Sequence, residues 1–259
     1  MSLQSTSPSI PILTSWEIPN LTHGFLGRIG GASIGSYASL DLAYWVGDDA
    51  AHVDENWRRL REVIGDVAIA RSHQVHGKTV RVVTRENIHE RPEADGMVTA
   101  ERGILLAVAS ADCVPILMTD ARGHIVGAIH AGWRGVIAGI AQEGVRAMES
   151  LGTRSSELRA ALGPSIGQCC FEVDDDLAHR FAREVEGSER HARAGRPGKA
   201  HLDLRAIIAD QLMRAGLPRE SIINVGPCTK CANDRFFSRR ADASSGLQLS
   251  FIGIRQQAI

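Results

Sequence analysis

The stretch Ala107–Gly135, AVASADCVPILMTDARGHIVGAIHAGWRG, constrains the fold of this chain more than any other. It contains two apolar runs, Val114–Thr119 and His124–His130, separated by the polar turn Asp120-Ala121-Arg122-Gly123. Strands joined by so short a turn form an antiparallel hairpin. The run before them, Gly103–Ser110, is continuously apolar, as expected of a strand buried on both faces. After His130, Ala131-Gly132-Trp133-Arg134-Gly135 opens a helix expected to reach Leu151, with Val136, Ile137, Ile140, Ala141, Val145 and Met148 on one face. The N-terminus of that helix is a candidate anion site. Cys113 and His130 are seventeen residues apart and stand near the same end of the two strands. A shared metal with a third ligand from upstream is the reading this placement favours.

At 259 residues the chain suits one large domain, since no linker-like segment divides it. A chain of this length buries roughly 70–75% of its unfolded surface, so a metal in it is expected to be functional rather than structural. A net charge of −1 gives no nucleic-acid or membrane-surface footprint. No apolar run approaches the ~18 residues of a membrane span, and the N-terminus lacks a basic n-region and a long apolar stretch. The five cysteines, at 113, 169, 170, 228 and 231, are odd in number and scattered, which favours reduced thiols and a cytoplasmic location.

Along the chain, residues 1–15 read as a polar tail leading into a short strand. Residues 22–47 form a loop rich in Gly, Ser and Ala with Arg28 beside Gly30-Gly31, suited to close backbone approach to a ligand. Asp48–Gly65 reads as a helix capped by Asp48 or Asp49, with Val53, Trp57, Leu60 and Ile64 on one face. Thr79–Thr84, Met97–Thr99, Leu158–Leu162, Ile222–Val225 and Leu247–Ile254 read as strands, and Ala94-Asp95-Gly96 as a turn. Asp174–Val185 and Leu202–Ala215 read as helices. Residues 187–201, GSERHARAGRPGKAH, read as a flexible basic surface loop without the interleaved aromatics of a nucleic-acid patch. Strands outnumber helices and do not alternate with them regularly, so the fold class is α+β, a mixed α/β layered sandwich.

A catalytic zinc takes three protein ligands and keeps a fourth position open. Cys113 and His130 supply two. His73 and His76, three residues apart, resemble a metal half-site and are candidates for the third, although the pair taken alone reads first as polar turn residues. Cys228-x-x-Cys231 is half of a structural zinc site, but no second pair lies near it in sequence, and the adjacent Cys169-Cys170 read as buried thiols. The chain has no His-x-His pair of the multicopper type, no His-x-Glu with Pro-Cys-x-x-Cys, no Gly-x-Ser-x-Gly elbow and no phosphate-binding Gly-Lys-Ser loop.

Gln74-Val75-His76-Gly77, Ala111-Asp112-Cys113-Val114-Pro115-Ile116, His130-Ala131-Gly132-Trp133-Arg134-Gly135, Gly163-Pro164-Ser165-Ile166-Gly167 and Cys228-Thr229 with Phe236-Phe237-Ser238 resemble the YfiH family. That family has carried the names multicopper polyphenol oxidase, laccase-domain protein and purine nucleoside phosphorylase. The resemblance runs in order from about Thr22 to Ile254. It implies a YfiH-like, cysteine-hydrolase-like single catalytic domain over residues 22–259, after an N-terminal tail and first strand in 1–21. It also implies a cytoplasmic monomer and a zinc held by His76, Cys113 and His130, with copper as the alternative metal. The activity implied is phosphorolysis of adenosine, inosine and S-methyl-5′-thioadenosine, with adenosine deamination. Purine nucleosides and phosphate are the partners; nucleic acid and membrane are not. Catalysis would rest on His76, Cys113 and His130, with Asp112 orienting a ligand, moving a proton or capping a turn. Arg28 and Arg240 match family arginines that could clamp phosphate, and Asp41 could face the pocket.

The chain departs from the family pattern at several of these places. Asp41 stands where asparagine is usual, Trp57 follows Asn56 where arginine is frequent, Arg239 takes a tyrosine position, and Ala241 and Leu247 take arginine positions. None touches the three metal ligands. Rival readings are a Cys113–His130 thiol hydrolase, a hydrolase editing peptidoglycan precursors, a copper-dependent polyphenol oxidase (laccase), and a binding module whose zinc only stabilises the site.

Overall fold

Residues 9–256 are described by the computed structural model, so the first eight residues of the expected polar tail lie outside it. Fourteen strands follow in chain order: β1 (Ile12–Leu13), β2 (Leu21–Leu26), β3 (Ala68–Ala70), β4 (Val80–Val82), β5 (Gly96–Thr99), β6 (Ile104–Ser110), β7 (Val114–Asp120), β8 (Val126–Ala131), β9 (Leu158–Leu162), β10 (Glu172–Asp174), β11 (Ala192–Ala194), β12 (Lys199–Leu202), β13 (Ile222–Asn224) and β14 (Gln248–Ile254). The five α-helices are α1 (Ala50–Ile64), α2 (Trp133–Ala138), α3 (Ile140–Glu149), α4 (Asp175–Glu184) and α5 (Leu204–Arg214). One sheet has the order β1-β2-β14-β6-β3, a second β13-β9-β7-β8-β5-β4, and a small third β10-β12-β11.

The two large sheets face each other, because both present apolar side chains on their inner faces. Leu21, Phe25, Leu106, Val108 and Ile252 of the first sheet pack on Met97, Leu117, Val126, Ala128 and Ala161 of the second. The outer face of the first sheet, with Leu26, Leu105, Ala107 and Phe251, is covered by Val53, Trp57 and Leu60 of α1. The outer face of the second, with Ile116, Met118, Ile129 and Ala160, is covered by α2, α3, α4 and α5. The result is a mixed α/β sandwich of four layers, helix, sheet, sheet, helix. Every residue of β6, β7, β8 and β14 is buried, which explains their unbroken apolar runs. Consecutive strands β6 and β7 belong to opposite sheets, and the chain crosses between them within Ala111-Asp112-Cys113.

Local chemistry explains the main elements. Asp49 caps α1, accepting from Ala51 N at 2.8 Å. The Asp120 carboxylate ties the β7–β8 turn by accepting from the backbone N–H groups of His124 (2.6 Å) and Ile125 (2.8 Å). That hairpin pairs Val114 with Ala131 and Pro115 with His130. Among the described residues, no helix is long and apolar enough to cross a membrane.

Several expectations change. The helix expected up to Leu151 breaks at Gly139, which takes φ 85° and divides it into α2 and α3. With only six residues in α2, little aligned dipole remains to hold an anion at Trp133-Arg134. Residues 187–201 are a short 3₁₀ turn and the hairpin β11–β12, extended by β10, rather than a flexible loop. The Gly-rich segment begins as β2, and its remainder is pinned to α1 by buried Asn56. That side chain accepts from Ala32 N (2.6 Å) and donates to Ser33 Oγ (2.8 Å) and Asp41 O (2.7 Å).

Candidate functional site

Three potential ligands converge at one end of the β7–β8 hairpin. Cys113 ends the crossing between the sheets, His130 lies within β8, and His76 comes from the β3–β4 connection. Their donor atoms lie within 4.8 Å of one another. The two imidazoles meet edge to face, with centroids 4.9 Å apart and planes at 82°. The structure thus selects His76 over His73 for this cluster.

One carboxylate assembles the group. Asp95 is wholly buried, and its Oδ1 lies 2.9 Å from His130 Nδ1 and accepts from His76 N at 2.9 Å. Its Oδ2 accepts from Gly77 N (2.7 Å) and Val75 N (3.2 Å). Asp95 therefore holds the ring of one histidine and the backbone of the other, and turns His130 Nε2 toward Cys113. Gln74 adds a second strap: its amide donates to Ala109 O and accepts from Ala109 N, both at 2.8 Å. Among the described residues, only His76 (φ 61°) and Asp112 (φ 87°) combine a side chain with left-handed backbone. His76 belongs to the cluster and Asp112 adjoins Cys113, and the surrounding bonds support a conformation that costs ~1 kcal/mol or more. Gly132 is required for space: a Cβ there would lie 2.7 Å from His76 Cδ2 and 3.2 Å from Cys113 Sγ.

The electrostatics favour a thiolate. Burial alone would raise the Cys113 pKa, but the His130 charge and hydrogen bonds from His130 and His76 outweigh it and bring it to about 6. Burial alone would lower the His130 pKa, but the Cys113 charge and the bond to Asp95 outweigh it and raise it to about 9. Asp95 is held below the usual carboxylate range, the His130 and Gly77 bonds outweighing its burial. A thiolate, two imidazoles and a carboxylate behind one of them form a ligand set that fits a catalytic zinc. Two histidines and a cysteine also suit copper.

A cavity of about 560 Å³ opens over these side chains, and its walls include Trp45, His73, Gln74, Arg91, Arg239 and Leu247. That is the size of a site for a drug-sized molecule. Trp45 leaves 58% of its surface in solvent at this wall, an unusual exposure for the largest apolar side chain.

The other residues singled out in the sequence are placed differently. Arg28 is turned away, donating to Ala38 O and to Asn233 O (2.8 Å) while lying 4.8 Å from the Phe237 ring centroid. Asp41 is fully buried and accepts from Leu247 N at 2.9 Å, so it lies behind the wall. Asp112 accepts from Thr229 Oγ1 (2.6 Å) and Arg240 N (2.7 Å). The Arg240 guanidinium donates to Glu172 O at 2.8 Å. Arg91 and Arg239 are the arginines that line the cavity. Sequence reasoning passed over Asp95 and Arg91; the available signal for Asp95 was a carboxylate directly before the short strand Gly96–Thr99.

A second cluster corrects the cysteine reading. Cys169, Cys170, Cys228 and Cys231 bring their sulfurs within 4.8 Å of one another, a set that suits a metal such as zinc. Cys169-Cys170 is thus the second pair sought for Cys228-x-x-Cys231, and Cys169 is exposed rather than buried. Folding, not sequence proximity, joins the pairs.

Residues 22–255 match the family model described as multi-copper polyphenol oxidoreductase laccase. The chain is 37% identical over 251 residues to purine nucleoside phosphorylase YlmD of Geobacillus stearothermophilus, covering 90% of each chain. It is 36% identical over 242 residues to adenosine deaminase RL5 from an unknown prokaryotic organism, covering 88% of this chain and 90% of that one. The crystal structure of Bacillus licheniformis YfiH superposes with a TM-score of 0.89 at 28% identity, over 96% of this chain and 98% of that one.

Proposed function

The chain belongs to this laccase-named family, and on that premise we propose that it is a zinc-dependent purine nucleoside phosphorylase. Its substrates are adenosine, inosine and S-methyl-5′-thioadenosine, and it also deaminates adenosine. One observation carries the reading: His76, Cys113 and His130 converge, oriented by Asp95, at the floor of a nucleoside-sized cavity. The relatives named as a phosphorylase and a deaminase support the reaction class. Residues 22–259 act as one catalytic domain.

Phosphorolysis joins a phosphate oxygen to the anomeric carbon as the bond from that carbon to the purine nitrogen breaks; the base leaves with a proton. The chain must bind an anion, hold a flat base and steady the charge that develops between them. Arg91 and Arg239 line the cavity and supply planar forks for phosphate, Arg239 with one arm of its fork already donating to Ala243 O at 2.6 Å. Trp45 offers a flat face for the base. To His73, also in the wall, we assign the transfer of a proton to the departing base. His76, Cys113 and His130 would hold the zinc, which supplies Lewis acidity when bound. Asp112, fully engaged by Thr229 and Arg240, fixes the backbone beside Cys113.

The test is adenosine turnover with and without inorganic phosphate. Formation of ribose 1-phosphate and adenine only with phosphate is expected; equal base release without it would sink the reading. The Cys113–His130 pair also supports a thiol hydrolase. That alternative requires activity after metal removal and a covalent adduct on Cys113.

A further inference from the structure

We propose that Cys169, Cys170, Cys228 and Cys231 bind a second, structural zinc ion, which fastens the segment after β13 to the β9–β10 connection. The sulfurs are arranged for a metal rather than for disulfides. Cys231 Sγ lies 3.6 Å from Cys169 Sγ and 3.4 Å from Cys170 Sγ. Zinc–sulfur bonds of about 2.3 Å arranged tetrahedrally place neighbouring sulfurs about 3.8 Å apart. A disulfide needs about 2.05 Å.

The backbone around the sulfurs is shaped to them. Gly167 faces the cluster, and a Cβ there would lie 3.2 Å from Cys228 Cβ and 3.3 Å from Cys169 Sγ. The two connections are registered on each other by Thr229 N donating to Ser165 O at 3.0 Å. Four thiolates around Zn²⁺ carry a net charge of −2, and binding releases four thiol protons to solvent without any redox change. Arg205 stands over the two connections, donating to Ser165 O (3.3 Å), Gly226 O (3.1 Å) and Pro227 O (3.1 Å), and its positive charge offsets part of that −2.

The fastening has a purpose at the cavity. Thr229, next to Cys228, and Arg240, whose guanidinium reaches Cys170 O at 3.3 Å, both bond the Asp112 carboxylate. The clamp therefore holds the segment that sets the backbone beside Cys113.

The full-length chain, purified under reducing conditions without chelator, decides the matter by metal analysis and native mass spectrometry. Two zinc ions per chain are expected in the wild type, one in Cys113→Ala, one in Cys231→Ser, and none in the double variant. Cobalt-loaded Cys113→Ala should retain the intense sulfur-to-cobalt bands of a tetrathiolate site, which keeps the test valid if Cys231→Ser fails to fold. Equal zinc in Cys231→Ser and wild type would overturn the proposal. So would a metal-free Cys113→Ala chain, or a mass loss showing disulfides among these cysteines. The drop from two zinc ions to one in Cys113→Ala tests the cavity site separately.

Discussion

The three candidate ligands at the cavity floor stand on the central sheets or on a loop strapped to them, whereas the four cysteines beside them stand on two connections. His130 is placed by β8 and oriented by Asp95, and Cys113 precedes the first paired residue of β7. Cys169, Cys170, Cys228 and Cys231 meet only because the β9–β10 connection and the segment after β13 run side by side. A sheet fixes its ligands before any metal arrives, which suits a reaction that depends on placement within about half an ångström. Loops gain most from a metal that closes them. On the roles we propose for the two clusters, the same ligand chemistry serves reactivity in one place and cohesion in the other.

The largest expected effect falls on the floor. Cys113→Ala should lower kcat/KM for phosphorolysis by about 10³-fold, the order seen when a group that carries the chemistry is removed, while circular dichroism stays native. Near-wild-type turnover would erase the functional contrast between the clusters. Asp95→Asn comes next: it keeps the shape but weakens the hold on His130, and about 10–100-fold should be lost in zinc affinity and activity. A wall residue costs less. Arg239→Ala should raise KM for phosphate about tenfold, as expected for one charged hydrogen bond, leaving kcat within a few-fold; unchanged phosphate dependence would remove Arg239 from the site.

The smallest effect on turnover is expected at Asp41, a buried carboxylate that contrasts with Asp95. Asp95 faces a histidine and three backbone N–H groups, whereas Asp41 accepts from Leu247 and Ala43, leaves Oδ2 unpartnered and lies near Asp48. Burial, reinforced by Asp48 and opposed by those backbone bonds, raises its pKa from 3.8 to about 6. The native state therefore holds its proton more tightly than the unfolded state. Stability from this group is complete below pH ~4 and falls as pH rises through ~6, by about 3 kcal/mol in all. Asp41→Asn should raise the melting temperature at pH 8 and change it little at pH 4.5. Equal shifts at both would show that the charge is not the cause.

The parts legible in the sequence share a physical character. β6, β7 and β8 are buried on both faces and read as apolar runs, and α1 carries its cap and apolar stripe within one segment. Cys113 and His130 are legible because a hairpin joins them. What escaped depends on distant partners or single backbone choices. Nothing near Cys169 announces Cys231, 62 residues on. Asp95 looks like a turn residue until three N–H groups and an imidazole arrive around it, and Gly139 interrupts a helix whose apolar periodicity continues across the break. Arg28 and Arg240 match family positions, but their guanidinium groups are engaged by carbonyls elsewhere.

The three-residue crossing from β6 to β7 has a mechanical consequence. Cys113 sits at the seam where one sheet hands the chain to the other, with Asp112 stapled beside it in left-handed backbone. Any slip of one sheet over the other is delivered to this joint and moves the sulfur. The cavity floor thus works as an alignment gauge for the whole sandwich. Truncating Leu117, fully buried between the sheets, should lower activity at temperatures where the protein remains folded, although Leu117 does not line the cavity.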